Sequence, residues 1–174
     1  MKSVTKVGVG VLATLGILAI GGGLFIESGF YDIGADDHHT KLVLAMIEQL
    51  RDRSIAVRAR AAEVQDFANP ERISAGARHY SALCTGCHLA PGITKSDIRP
   101  GLYPHPPNLA QEDIKDTGRA FWIVKHGIKM SAMPAWGKTL DDAAIWDIVA
   151  FVQQMPTMSP GMYQQLSKSH ADGL

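Results

Sequence analysis

The sequence has only two cysteines among 174 residues, so it cannot build the disulfide framework on which many small secreted domains rely. It has no excess of charge of either sign, because 17 basic and 17 acidic residues cancel. This balance argues against a nucleic-acid-binding protein, which needs a surplus of lysine and arginine. Seventeen glycines and nine prolines are too few for a collagen-like or wholly disordered chain. The length allows one ordinary domain and an appendage.

One long hydrophobic run is present near the N-terminus. Residues Val7 to Ile26 include no charge, and Thr14 is their only polar side chain. A helix of this length spans roughly 30 Å, the thickness of the hydrocarbon core of a bilayer. The run is longer than the apolar part of a signal peptide, although Ala19-Ile20-Gly21 weakly resembles a cleavage site. We predict an uncleaved transmembrane helix and keep a removed signal as the alternative.

The charges on either side of this run predict its orientation. Two lysines precede it and four acids follow it: Lys2 and Lys6, then Glu27, Asp32, Asp36 and Asp37. Positively charged flanks tend to stay in the cytoplasm. The sequence therefore predicts a single pass through the inner (cytoplasmic) membrane, with all later residues on its outer side. In a Gram-negative cell that side is the periplasm.

The segment from Thr40 to about Val64 has the pattern of an amphipathic helix, which Asp37 or Thr40 could cap. Its apolar residues recur at spacings of three and four: Leu42, Val43, Leu44, Met46, Ile47, Leu50, Ile55 and Val57. Such a helix is either a stalk that docks on a partner or an element that packs on its own domain. The neighbouring His38 and His39 do not share a helix face, so no metal site is predicted there.

The two cysteines lie in Cys84-Thr85-Gly86-Cys87-His88, a C-x-x-C-H pattern typical of covalent haem attachment. On one helical turn, both thiols can add to haem vinyl groups and the histidine can bind the iron. A thioredoxin-like pair needs alternating strands and helices, and a structural zinc site needs a second pair of ligands. A simple disulfide would leave His88 unexplained. The predicted export agrees, since c-type haem is attached outside the bacterial cytoplasmic membrane.

If His88 is the fifth iron ligand, Met133 is the candidate for the sixth. It lies in the loop Ser131-Ala132-Met133-Pro134-Ala135-Trp136-Gly137, where the proline favours extended backbone before it. A thioether is a soft ligand that suits low-spin iron, and a His/Met pair raises the reduction potential. Met130 and His126 remain alternatives.

The C-terminal half predicts three further helices. Asn69 and Pro70 have the residue types of the cap and first position of one helix. A second runs from Thr117 to His126, before a glycine that is typical of a helix end. Thr139 is expected to open the third, which Pro156 stops.

Residues 70–156 resemble a class I cytochrome c, similar to the haem subunits of cbb3-type oxidases and membrane dehydrogenases. The resemblance lies in the C-x-x-C-H pattern, the segment from Phe121 to Ile128, the Met133 loop and the final helix. It implies an all-α fold in which Gly76 and Tyr80 lie where the first and last helices of the domain cross. It also implies Met133 as the distal ligand.

We therefore expect four segments in an all-α chain. They are a transmembrane anchor (1–30), a linker with an amphipathic helix (31–69), a small cytochrome c haem domain (70–156) and a C-terminal tail (157–174). One covalently attached haem c is expected, bound by Cys84, Cys87, His88 and Met133, with the last two as iron ligands.

A haem with both axial positions filled exchanges electrons but does not bind substrate. The sequence thus predicts an electron carrier rather than an enzyme, serving oxidase, reductase or dehydrogenase partners of a respiratory chain. Lys125, Lys129 and Lys138 flank the Met133 loop and could meet an acidic patch on such a partner. The alternatives are an integral electron-transfer subunit of a larger membrane oxidoreductase or terminal oxidase, and a gas sensor or peroxidase with an open sixth position.

Replacement of Met133 by alanine tests the sixth ligand. We expect Met133→Ala to lose the sulfur-to-iron charge-transfer band of the oxidised protein and to bind carbon monoxide when reduced, because the sixth position opens. Optical spectra of the purified variant measure both effects. An unchanged charge-transfer band would rule out Met133 as the ligand.

Overall fold

The computed structural model describes residues 2–59 and 66–168, with Lys2 and Ser3 described as backbone only. No β-strand forms within these ranges, which confirms the predicted all-α class. The seven helices found there are α1 (Lys2–Glu27), α2 (Lys41–Ala56), α3 (Pro70–Leu83), α4 (Thr85–His88), α5 (Thr117–His126), α6 (Asp142–Gln154) and α7 (Pro160–Lys168). The chain divides into two compact units, residues 1–37 and residues 38–174.

The first unit is the apolar helix α1 and the short segment after it. Its segment Val4–Glu27 contains an 18-residue window with a mean hydropathy of 2.3 and is long enough to cross a membrane. A signal sequence near an N-terminus can have the same length and composition. Gly29 (φ +61°) follows the helix with a backbone conformation that glycine adopts without strain. Ser28 Oγ donates to the carbonyl of Phe25 at 2.7 Å and accepts from the amide of Phe30 at 3.2 Å. These bonds satisfy backbone groups that the end of the helix leaves free.

Helix α2 is the first helix of the second unit, and it packs on the domain that follows it. Thr40 caps it by accepting a hydrogen bond from the amide of Val43. Ile55 is buried, and Arg119 of α5 donates to Asp52 at 2.9 Å. Hydrogen bonds from Arg51 and then from Arg119 hold the pKa of the Asp52 carboxyl below its usual value, although burial opposes them. The helix ends at Ala56, and residues 60–65 of its predicted continuation lie outside the described residues.

The core of the second unit forms where α3 crosses α6. Asn69 caps α3 as predicted, since its Oδ1 accepts from the amide of Glu71 at 2.9 Å. A Cβ atom at Gly76 would lie 1.9 Å from the carbonyl oxygen of Asp147, so only glycine allows this approach. The buried rings of Tyr80 and Phe151 pack beside it, with centroids 5.3 Å apart. The predicted position of Gly76 and Tyr80 at the crossing is confirmed.

In the C-terminal half, the start of one helix and the structure of the expected tail differ from the prediction. The cap of α6 is Asp141, whose carboxylate accepts a hydrogen bond from the amide of Ala144 at 2.8 Å. Thr139 belongs to the preceding turn, where its amide donates to the carbonyl of Trp136. The predicted start at Thr139 is therefore wrong. Beyond Pro156, in the expected tail, α7 forms and buries Tyr163 in the core.

The α3–α6 crossing yields a stability test. We expect Gly76→Ala to lower the free energy of unfolding by about 3 kcal/mol or more, because the new methyl group overlaps the backbone of α6. Gly161→Ala is the matched control, since a Cβ there meets nothing within 4 Å. Denaturant unfolding measures both variants. Equal stability of the two would contradict the close crossing.

Candidate functional site

The segment from Cys84 to His88 forms one tight helical turn directly after α3. The amides of Cys87 and His88 both bond to the carbonyl of Cys84, at 3.1 and 2.9 Å. The two cysteines are therefore three residues apart on one turn, as the sequence predicts, and both are free thiols. Burial, followed by the proximity of Cys87, raises the pKa of the Cys84 thiol to about 12. A thiol held protonated in this way is unlike the low-pKa nucleophile of a redox pair.

Hydrogen bonds from residues of the core hold this turn in place. The buried Tyr80 hydroxyl donates to the carbonyl of Leu89 at 2.7 Å, and Leu89 itself has φ +61°. Thr85 Oγ1 donates to the carbonyl of Tyr80 at 3.2 Å and shares a 3.0 Å hydrogen bond with the hydroxyl of Tyr163. Burial raises the pKa of Tyr80, so its hydroxyl remains a donor at physiological pH. Helices α3 and α7 thus hold the turn in place together.

The His88 imidazole is oriented by the loop that follows it. Its Nδ1 lies 3.0 Å from the carbonyl oxygen of Pro107. Since a carbonyl only accepts, Nδ1 carries the proton and Nε2 keeps its lone pair in the neutral ring. Burial lowers the pKa of His88, and the nearby Arg99 charge adds to this, while the Pro107 bond opposes it. A neutral imidazole whose far nitrogen is unprotonated is the form that binds a metal.

The loop from residue 89 to residue 109 folds back over His88. The amide of Leu109 bonds to the carbonyl of His88 at 3.1 Å, and Arg99 Nη2 donates to the carbonyl of Pro106 at 2.7 Å. Two polar atoms of this loop, Arg99 Nε and the Tyr103 hydroxyl, are buried without a hydrogen-bond partner in the described part of the chain. A buried donor without a partner lowers the stability of the fold by roughly 1–3 kcal/mol. Two such donors in one loop therefore indicate that a polar group of a ligand accepts their hydrogen bonds.

The Met133 loop is pinned to the end of α5. The carbonyl of Met133 accepts from the amide of Ile128 at 3.2 Å, and its amide donates to Ser131 Oγ at 3.1 Å. Gly127 (φ +64°) ends α5 as predicted, and a Cβ there would lie 2.6 Å from the Met133 carbonyl oxygen. Met133 is half-buried in this setting. The backbone contacts therefore hold its side chain in one region of the domain.

The two alternative ligands have different surroundings. The Met130 side chain is 81% exposed. His126 is exposed, and its ring lies 4.8 Å from that of Trp122. Of the three candidates, only Met133 is half-buried, which favours it as a ligand.

Only two of the three lysines around this loop are candidates for docking a partner. Lys125 Nζ lies 2.7 and 2.8 Å from the two carboxylate oxygens of Asp142 and sits over the ring of Phe121. Lys129 and Lys138 are exposed. The charge of Lys125 is therefore partly neutralised within the domain.

An all-α domain with a C-x-x-C-H turn, a neutral histidine and a methionine loop held against α5 resembles a class I c-type cytochrome. Residues 71–152, which are 82 of the 174, match the family model for cytochrome C oxidase, cbb3-type, subunit III. This confirms the predicted resemblance to the haem subunits of cbb3-type oxidases. The match supports an electron-transfer cytochrome, and it implies that this domain binds haem.

The residues present fit a haem. A neutral imidazole and a thioether are suitable iron ligands, and two thiols three residues apart suit its two vinyl groups. Haem also carries two propionates, and the orphaned Arg99 Nε and Tyr103 hydroxyl are donors of the kind that carboxylates require. The proline-rich stretch from Gly101 to Leu109 is expected from the sequence to wrap the haem rim or to be a surface loop without function, but no individual role was predicted for Arg99, Tyr103 or Pro107. One feature of the sequence could have drawn attention to Arg99: no other arginine lies between Arg78 and Arg119.

The position of Arg99 leads to a test of the site. We expect Arg99→Gln to lower the reduction potential of the purified cytochrome by on the order of tens of millivolts, because a nearby cation favours the ferrous over the ferric state. Arg53→Gln, on an exposed part of α2, removes the same charge and is the control. Optical redox titration measures both. Equal shifts in the two variants would contradict a local role for Arg99.

Proposed function

We propose that this protein is a membrane-anchored, monohaem cytochrome c that carries single electrons between respiratory or dehydrogenase partners on the periplasmic side. The observation that carries the proposal is the Cys84–His88 turn, with its neutral imidazole oriented by Pro107. A second support is the family match, which covers this turn and the helices around it. In this reading the protein has no substrate of its own.

Four residues are assigned to the haem. Cys84 and Cys87 would hold it through thioether bonds, and His88 and Met133 would be its iron ligands. When bound, haem supplies one iron that cycles between the ferrous and ferric states. His88 stays fixed by its Pro107 bond, and the Met133 loop stays fixed against α5, so the two ligands move little when the charge changes. A small rearrangement keeps the barrier to electron transfer low.

The anchor and the side of the membrane are assigned from the N-terminal unit. Helix α1 has the length and hydropathy of a spanning helix. Two lysines precede its apolar run from Val7 to Ile26, and acids follow that run. We assign residues 1–30 to the anchor, 31–69 to the linker and 70–156 to the haem domain. Tethering raises the local concentration of the carrier near membrane-bound partners, so that strong affinity is not needed.

An integral subunit of a larger membrane oxidoreductase or terminal oxidase is the second candidate. The description of the matching family, which names an oxidase subunit, favours it. A subunit leaves the membrane in a stable, stoichiometric complex, whereas a carrier leaves as a monomer. The site chemistry is the same in both cases.

Purification of the full chain from its native membrane in mild detergent tests the function. We expect a coloured monomer that titrates as a one-electron couple and whose reduced form does not bind carbon monoxide, because Met133 fills the sixth position. Mass spectrometry is expected to show the intact N-terminus and one covalent haem. Stoichiometric partner chains would favour the subunit. Colourless protein with two alkylatable thiols would refute haem attachment.

A further inference from the structure

Helix α2 is apolar on two opposite sides, and the haem domain covers only one of them. On the covered side, Ile55 is 2% exposed and Asp52 pairs with Arg119. On the other side, four large apolar side chains remain 63–72% exposed: Leu42, Met46, Leu50 and Val57. We name these four residues the α2 stripe. The described part of the haem domain does not cover these four side chains.

The α2 stripe is a continuous surface. Its members follow one another at intervals of four, four and seven residues, which at about 100° per residue places them within roughly 80° of the helix circumference. Arg53 lies on the same side and is exposed, and no acidic residue lies between the four positions on that side. The surface is thus apolar with one cation, a composition typical of helices that lie on anionic bilayers.

The chain itself brings a bilayer within reach of this surface. The spanning segment ends at Glu27, and three exposed apolar or aromatic residues follow it: Phe30, Tyr31 and Ile33. Aromatic residues at this position are typical of the membrane–water interface. From Ile33 to the start of α2 at Lys41 there are eight residue steps, which extend to at most roughly 27 Å. A membrane that holds α1 is therefore always close to α2.

We propose that the α2 stripe lies on the surface of the bilayer that α1 spans, with its four apolar side chains at the acyl boundary and Arg53 among lipid phosphates. This inference rests on the retained anchor of the proposed function. Because α2 is joined to α5 by the Asp52–Arg119 pair and its Ile55 is buried, the contact fixes the orientation of the haem domain relative to the membrane. The Met133 loop, which follows α5, is then presented to membrane-bound partners in one defined direction.

Site-directed spin labelling of the full holoprotein tests the contact. In the holoprotein both native cysteines are in thioether bonds, so Leu50→Cys provides a single labelling site. Glu48→Cys is the matched control, because residue 48 is exposed but lies on the side of α2 opposite the stripe. The protein is placed in nanodiscs of phosphatidylglycerol and phosphatidylcholine and kept reduced, because low-spin ferrous haem is diamagnetic. The collision rate of the spin label with oxygen, which dissolves in lipid, is compared with its collision rate with a water-soluble nickel chelate.

We expect the oxygen-to-nickel ratio at position 50 to exceed that at position 48 several-fold. Equal ratios in a chain of full mass would overturn the α2 contact and leave the anchor intact. A chain shortened at its N-terminus would overturn both. In native membranes, a photoreactive amino acid at position 46 is expected to crosslink to phospholipid, and a crosslink to a protein instead would overturn the lipid assignment.

Discussion

The close contact between α3 and α6 is the constraint on which the rest of the domain depends. The carbonyl of Asp147 occupies the space that any side chain at Gly76 would need. Helix α3 leads directly into the Cys84–His88 turn, and the 3₁₀ turn Trp136–Lys138, which precedes α6, packs on Lys125 at Gly137. The two segments assigned to the haem thus extend from the two helices that meet at this crossing.

Burial decides which chemistry the site can support. It keeps Cys84 protonated and His88 neutral, and Arg99 reinforces the effect on His88. A thiol with a raised pKa differs from the low-pKa thiolate of a redox pair, and a neutral imidazole with a free Nε2 is a good iron ligand. The same hydrogen bonds that hold these groups also limit their movement, which suits a protein that exchanges electrons without binding a substrate.

Local signals in the sequence explain the boundaries that were predicted correctly. Asn69 caps α3 and Gly127 ends α5 because the cap side chain and the glycine backbone act within a few residues. Thr139 and Asp141 are both residue types that cap helices. The choice between them depends on the turn at Trp136, whose carbonyl binds the amides of Thr139 and Leu140. Helix α7 has only nine residues, and it is stabilised by burial of Tyr163, which no local pattern reveals.

The sequence alone determined the C-x-x-C-H spacing, the apolar N-terminal run and the helical periodicities, because each is a property of neighbouring residues. Only the tertiary structure decided how His88 is oriented, since Pro107 is 19 residues away, and where α2 packs, since Asp52 and Arg119 are 67 residues apart. It also decided which face of α2 remains exposed. Contacts over such separations depend on the path of the whole chain, and for that reason no short pattern encodes them.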